Sequence, residues 1–254
     1  MNLQIQDLQQ TIKQIIDFIQ QTYIAQKKDI AIIAISGGID SALSLTLLAK
    51  ALGAQNINPV MLPYGDRDLS DSETILRFNQ IPQENWQVID IKSIVDIAAK
   101  TIGVKADDKI RFGNLMARIR MMTIYDLAKK YNALVCGAEN KSEKYLGYFT
   151  RFGDEASDLE PIIGLYKTQV RQLSKFLNLP DQIRVKPPTA DLWEGQTDEQ
   201  ELGFSYEVAD QVLVQLIDER KTAAEIEGKD LELVKKIIQR VKQMEFKRHV
   251  PYKI

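Results

Sequence analysis

Residues 30–35 (IAIIAI) form a short apolar, largely β-branched run, and Ser36-Gly37-Gly38-Ile39-Asp40-Ser41 follows it directly. From Ala42 to Leu52 the apolar residues return at helical spacing. A buried strand that turns through two glycines into a helix is the first half of a parallel β-α-β unit. Such a turn aims free backbone N–H groups and the positive end of a helix dipole at one point, which makes an anion site. Gly37 and Gly38 let the backbone approach a phosphate, and Ser36 and Ser41 add hydroxyl donors. The loop lacks the Gly-Lys-Ser/Thr ending of a Walker A loop and the GxGxxG of a dinucleotide fingerprint. Asp40 is the informative residue. A carboxylate beside a phosphate is repulsive unless a divalent cation lies between them, so Asp40 points to Mg²⁺. The plainer alternative, a simple Ser-Gly-Gly turn with Asp40 as an ordinary helix-start acid, stays open on these residues alone.

Short apolar runs at 57–62, 86–91 and 133–136 read as further strands. Helical spacing covers 3–26, 70–80, 92–101, 114–131, 167–178, 206–218 and 229–247. Strands alternating with helices predict an α/β fold with a parallel sheet covered on both faces. Residues 145–165 hold glycines and aromatics with little periodicity, as a structured functional loop does. No repeat, linker or boundary interrupts the chain, so a single domain over 1–254 is expected.

Composition removes several chemistries. The chain has 33 Lys+Arg against 35 Asp+Glu, a formal charge of -2 with both signs interspersed, which argues against a dedicated nucleic-acid binder. The single cysteine, Cys136, allows no internal disulfide and fits a reducing cytoplasm. The single histidine, His249, leaves no room for a His-based triad or a His-cluster metal site. The N-terminus lacks a secretory pattern, and the most apolar stretch, 30–49, is broken by Ser36, Gly37, Gly38, Asp40 and Ser41, so no membrane span is expected. An enzyme built from this chain works with carboxylates, lysines, backbone amides and a hard cation.

SGGIDS resembles the pyrophosphate-binding loop of the ATP pyrophosphatase superfamily, and later motifs narrow the resemblance. Gly113-Asn114-Leu115-Met116-Ala117-Arg118-Ile119-Arg120-Met121 is similar to a helix of the ammonia-dependent NAD synthetases. So are Glu143 with Gly147-Tyr148-Phe149-Thr150-Arg151-Phe152-Gly153-Asp154 and Asp158, the Gly164–Thr168 segment, residues 186–193, Gln196-Thr197-Asp198-Glu199 and Lys247-Arg248-His249-Val250-Pro251. The resemblance implies a doubly wound, mostly parallel five-stranded sheet with helices on both faces (Rossmann-like) and ATP across the carboxyl ends of its strands. It implies ATP contacts at Ala34, Ile35, Ser36, Gly37, Gly38, Ile39, Asp40, Ser41, Ala138, Lys167 and Thr189, and Mg²⁺ ligands at Asp40 and Glu143. Arg118, Arg151, Asp158, Phe246 and Lys247 match positions that contact deamido-NAD, with Asp158 and Lys167 as the catalytic candidates. The implied reaction is amidation of deamido-NAD by ammonia through an acyl-adenylate, releasing AMP and pyrophosphate. A homodimer is implied as well, to which the apolar stripe of 3–26 could contribute, or that stripe packs within the monomer. With about 30 residues before the loop, no built-in glutaminase domain is expected.

Other readings stay open for single residues. Arg118 and Arg120 also suit a helix surface paired with nearby acids. Glu143 also suits the third position of a capping box begun by Asn140. Tyr148, Phe149 and Phe152 either anchor the loop or stack on a planar ring. The sequence also departs from the family pattern. Ala138 stands where threonine is usual, Arg151 where lysine is, Glu155 where glycine is, Glu160 where an apolar residue is, and Phe246 where histidine is common. These departures make amidation of nicotinate mononucleotide, or nucleotide binding without catalysis, the alternatives.

Overall fold

The computed structural model describes residues 3–189, 193, 195–226 and 230–252. Within the 186–193 motif, Ala190, Asp191 and Leu192 lie outside the described residues. The strands are β1 (Ala31–Ala34), β2 (Ile57–Met61), β3 (Gln87–Val88) and β4 (Leu134–Cys136). The first helices are α1 (Leu8–Gln26), α2 (Ile39–Leu52), α3 (Ser70–Phe78), α4 (Lys92–Ile102) and α5 (Lys109–Tyr131). They are followed by α6 (Lys141–Leu146), α7 (Lys167–Phe176), α8 (Asp181–Val185), α9 (Asp198–Leu202), α10 (Tyr206–Leu213), continued by a π-helical turn, and α11 (Leu231–Gln243).

The sheet is parallel, in the order β3-β2-β1-β4. Strand β1 is central, and successive side chains go to opposite faces. Ala31 and Ile33 enter a core shared with α1, α2 and α7, while Ile32 joins Val60, Val95, Met116, Ile119 and Leu127 under α4 and α5. Both faces are therefore covered, as a parallel sheet requires. A third apolar cluster, around Tyr166, Phe204, Tyr206, Val212 and Ile237, packs α6 against α10 and α11. No helix of the described residues is long and apolar enough to cross a membrane.

The sheet has four strands among the described residues, not the five expected. The fifth is reduced to one parallel bridge between Cys136 and Leu159. There Leu159 N–H donates to the Val135 carbonyl, and Gly137 N–H donates to that of Leu159. The next rung would need an N–H from residue 161, which is proline and has none. Helix α1 begins at Leu8 rather than residue 3 because the Asp7 side chain caps it, accepting from Gln10 N–H. Its stripe is largely used inside the chain: Ile12, Ile19 and Tyr23 are buried, with Phe18 and Ile24 exposed.

Candidate active site

In the order β3-β2-β1-β4, chain direction around the sheet reverses between β1 and β4, and the crevice at their carboxyl ends is where such sheets bind ligands. The loop after β1 has the expected shape. Gly37 has φ +78°, a conformation side chains other than glycine rarely adopt, and a Cβ there would stand 3.0 Å from Asp71 Cβ. Gly38 is the N-cap of α2. Gly38 N–H donates to Ser36 Oγ at 3.2 Å and Ser41 Oγ donates to the Gly38 carbonyl at 3.0 Å, which fixes the turn.

After β4 the chain enters α6, capped by Asn140, whose side-chain oxygen accepts Glu143 N–H at 3.0 Å. The Asn140 amide donates to Asp40 Oδ1 at 2.9 Å and ties the two loops together. Glu143 does not return to complete a capping box. Its Oε1 instead meets Lys167 Nζ at 2.9 Å, and Asp40 Oδ2 meets the same ammonium at 2.5 Å. Lys167 is the first residue of α7, and its side chain is 3% exposed. Its backbone N–H donates to Ser142 Oγ, which donates to Asp210 Oδ1, and Asp210 Oδ2 accepts Thr168 N–H. Three helix starts thus converge, two bringing carboxylates and one an ammonium.

Burial alone would lower the Lys167 ammonium, but Asp40 and Glu143 outweigh it and hold it above its ordinary value. Burial raises Glu143, with Lys167 opposing and Asp40 adding to the rise. Asp198, also raised by burial, accepts the Tyr206 hydroxyl on Oδ2, and its buried Oδ1 has no hydrogen-bond partner among the described residues. The cluster thus sets three carboxyl groups, two of them held above their ordinary range, around one ammonium.

Several of the other expected contacts gather around the 147–152 loop. Arg118 donates to the Arg151 carbonyl at 3.3 Å. The Arg151 guanidinium lies against the Phe152 and Phe246 rings, 5.6 and 5.4 Å from their centroids. Lys247 Nζ donates to the carbonyls of Gly147 and Phe149. Arg120 donates to the Leu62 carbonyl at 3.0 Å. Asp158 Oδ2 accepts Val135 N–H at 2.7 Å, so one oxygen is occupied in holding the edge of the sheet. Thr189 follows Pro188, whose carbonyl accepts Asp198 N–H at 3.0 Å, and Lys186 pairs with Asp71 at 2.7 Å beside the Gly37 turn.

Two of the unusual acids have structural partners. Glu155 accepts Phe152 N–H at 2.9 Å. Glu160 accepts Glu139 N–H at 3.0 Å and the Ser157 hydroxyl at 2.8 Å. Its Oε1 would lie 1.8 Å from a Cβ at Gly137. Gly137→Ala is accordingly expected to displace that carboxylate from both donors and cost ~1–3 kcal/mol, read as a lowered denaturant midpoint at unchanged slope. Sequence reasoning read Asn140 only as a helix cap, not as a partner of Asp40, and did not single out Asp198, Asp210, Tyr206 or the Glu139–Glu160 contact. Asn140 and Asp198 do stand within recognised motifs, whereas nothing local marks Asp210.

The NAD synthase family model matches residues 11–251. The chain belongs to that family. It is thus an enzyme, a ligase that forms a C–N bond. It is 40% identical over 250 residues to an NH(3)-dependent NAD(+) synthetase of Fusobacterium nucleatum, covering 96% of this chain and 95% of that one. Its structure resembles the NH3-dependent NAD synthetase of Campylobacter jejuni with a TM-score of 0.82 and 30% identity, over 98% of this chain and 99% of that chain. An NMN synthetase from Francisella tularensis gives the same TM-score, 0.82, at 28% identity, over 98% of each chain.

Proposed function

We propose that the whole chain acts as one unit that amidates deamido-NAD with ammonia at the expense of ATP. The observation that carries this reading is the junction of Asp40, Asn140, Glu143 and Lys167 at the switch point of the sheet. ATP lies on residues 34–41, with its phosphates against the N-terminus of α2. Ala138 and Thr189 flank it.

The residues suit Mg²⁺. Asp40 and Glu143 are hard oxygen donors on different elements, and a cation, the Lys167 ammonium, already sits between them. Among the described residues no group of three His, Cys, Asp or Glu side chains is arranged to hold a metal, so phosphate oxygens and water would complete the shell. The ion's contribution is to neutralise phosphate charge.

In the first step the nicotinate carboxylate attacks the α-phosphorus of ATP. A C–O–P bond forms, the bond to the β-phosphate breaks, and pyrophosphate leaves. Lys167 stabilises the charge that develops on it. In the second step ammonia attacks the acyl carbon, AMP leaves, and the amide nitrogen loses a proton to a carboxylate, for which Asp158 is the candidate. No protein nucleophile is needed, so catalysis is positioning plus charge stabilisation. Arg118, Arg151, Phe246 and Lys247, gathered around the 147–152 loop, frame the dinucleotide, and the working form is a homodimer in the cytoplasm.

The equal likeness to an NMN synthetase structure favours one second reading, the same chemistry on nicotinate mononucleotide. AMP release measured with deamido-NAD or with nicotinate mononucleotide, each with and without ammonium chloride, separates the two. The expected result is ammonia-dependent amide formation at least ~10-fold more efficient, in kcat/KM, with the dinucleotide. Preference for the mononucleotide establishes the second reading, and ATP binding without AMP release with either acid overturns both.

A further inference from the structure

We propose that the Lys167 ammonium is the resident occupant of the Asp40–Glu143 cation site, and that a divalent cation enters only as nucleotide phosphate draws this ammonium out. The inference rests on Asp40 and Glu143 being the metal ligands. Lys167 Nζ stands 2.5 Å from Asp40 Oδ2 and 2.9 Å from Glu143 Oε1, and so fills the gap between these two oxygens in which an ion held by both would sit. Two cations cannot share that space.

The ammonium cannot simply withdraw either. Its backbone is pinned by Ser142 and, through Ser142 and Thr168, by Asp210. Its side chain is buried, with the Tyr206 ring 5.1 Å from Nζ. A buried lysine that leaves its carboxylates without finding another anion is left uncompensated, and so are they. An incoming triphosphate removes the obstacle, because it offers the ammonium new oxygens while the metal takes over Asp40 and Glu143. One positive group is thus exchanged for another, and the carboxylates are never left without a counter-charge.

The exchange makes Lys167 a positioning residue before it is a phosphate contact. It holds Asp40 and Glu143 at bridging distance while the site is empty of nucleotide, with Asn140 fixing the other Asp40 oxygen. It also makes free metal a poor ligand. Metal and nucleotide then favour each other's binding reciprocally.

The test uses Mn²⁺ as the probe on the full chain. In wild-type crystals soaked with Mn²⁺ alone, no anomalous peak is expected between Asp40 and Glu143. With Mn²⁺ and a non-hydrolysable ATP analogue, a peak is expected there, with Lys167 Nζ moved onto a phosphate oxygen. In solution without nucleotide, Lys167→Met is expected to bind Mn²⁺ at least ~10-fold more tightly than wild type by electron paramagnetic resonance titration. Its melting temperature, lowered in the absence of metal, is expected to recover on adding Mn²⁺.

A Mn²⁺ ion bridging both carboxylates in wild type without nucleotide overturns the proposal. So does a ternary complex in which Nζ remains on both carboxylates, or a folded Lys167→Met with no gain in affinity. If instead the ion in the ternary complex touches neither Asp40 nor Glu143, the metal-ligand reading itself fails.

Discussion

Asp40→Asn is expected to lower ATP-dependent AMP release by at least ~10²–10³-fold at saturating deamido-NAD, ammonia and Mg²⁺, a loss of the size seen when one preorganised charge-stabilising group is removed. The substitution is nearly isosteric, and an Asn side-chain oxygen can still accept from the Asn140 amide. The ion pair to Lys167 is lost, but Glu143 remains 2.9 Å from the ammonium, so that charge is not left unpaired. Asp40 is also partly open, at 19% exposure, and sits at the start of α2 rather than in its packed interior. The stability cost should therefore stay below the ~3–5 kcal/mol of a buried pair left uncompensated. The check pairs an AMP-release assay with a thermal melt. A cooperative melt near wild type with turnover abolished places Asp40 in the reaction. Turnover within a few-fold of wild type would remove Asp40 from the proposed site.

The parts of this site that were legible in the sequence are those written locally. A β-branched run, two glycines and a helix-spaced stretch sit within about twenty residues, so residues 30–52 carry their own geometry. Glu143 could be placed one helical turn after an N-cap signal at Asn140. Its partner could not. Whether a third-position acid turns back on its own cap or out to a lysine 24 residues away depends on where β4 delivers α6 relative to α7. The support of Lys167 by Asp210, 43 residues later in the sequence, is tertiary in the same way.

The fifth strand, reduced to a single bridge among the described residues, shows the opposite case, a local signal outweighed by a family expectation. Pro161 stands where the ladder beside β4 would need a donor, and the sequence alone contains that information. The unusual acids illustrate a different limit. Sequence comparison marks Glu155 and Glu160 as odd near a site for anionic substrates. The structure turns both toward backbone donors, so their first effect is on the loop that carries Asp158.

That second acid leads to a pH dependence. Burial pushes Glu160 up to about 7 from an ordinary 4.5, against the hydrogen bonds from Ser157 and Glu139 N–H, and burial together with the Glu160 charge pushes Glu139 up to about 9. A carboxyl whose value is raised on folding binds its proton more tightly in the folded state. Its contribution to stability is therefore full below the unfolded value and is lost as pH rises through the folded one. For Glu160 that window is from about pH 4.5 to about pH 7, and Glu139 extends the loss toward about pH 9. A shift of this size corresponds to ~3 kcal/mol for Glu160 as an upper bound.

Glu160→Gln removes this ionisation, keeps an acceptor for one of the two donors, and relieves Glu139 of its charged neighbour. The variant is expected to melt within a degree or two of wild type at pH 4.5. At pH 8 it should melt higher by up to ~6–12 °C, the equivalent of ~3 kcal/mol in a chain of this length. Melts followed by circular dichroism across that range decide it. A constant difference between the two proteins at every pH would mean that Glu160 is ionised in the folded state at ordinary pH, with its charge balanced by the donors around it.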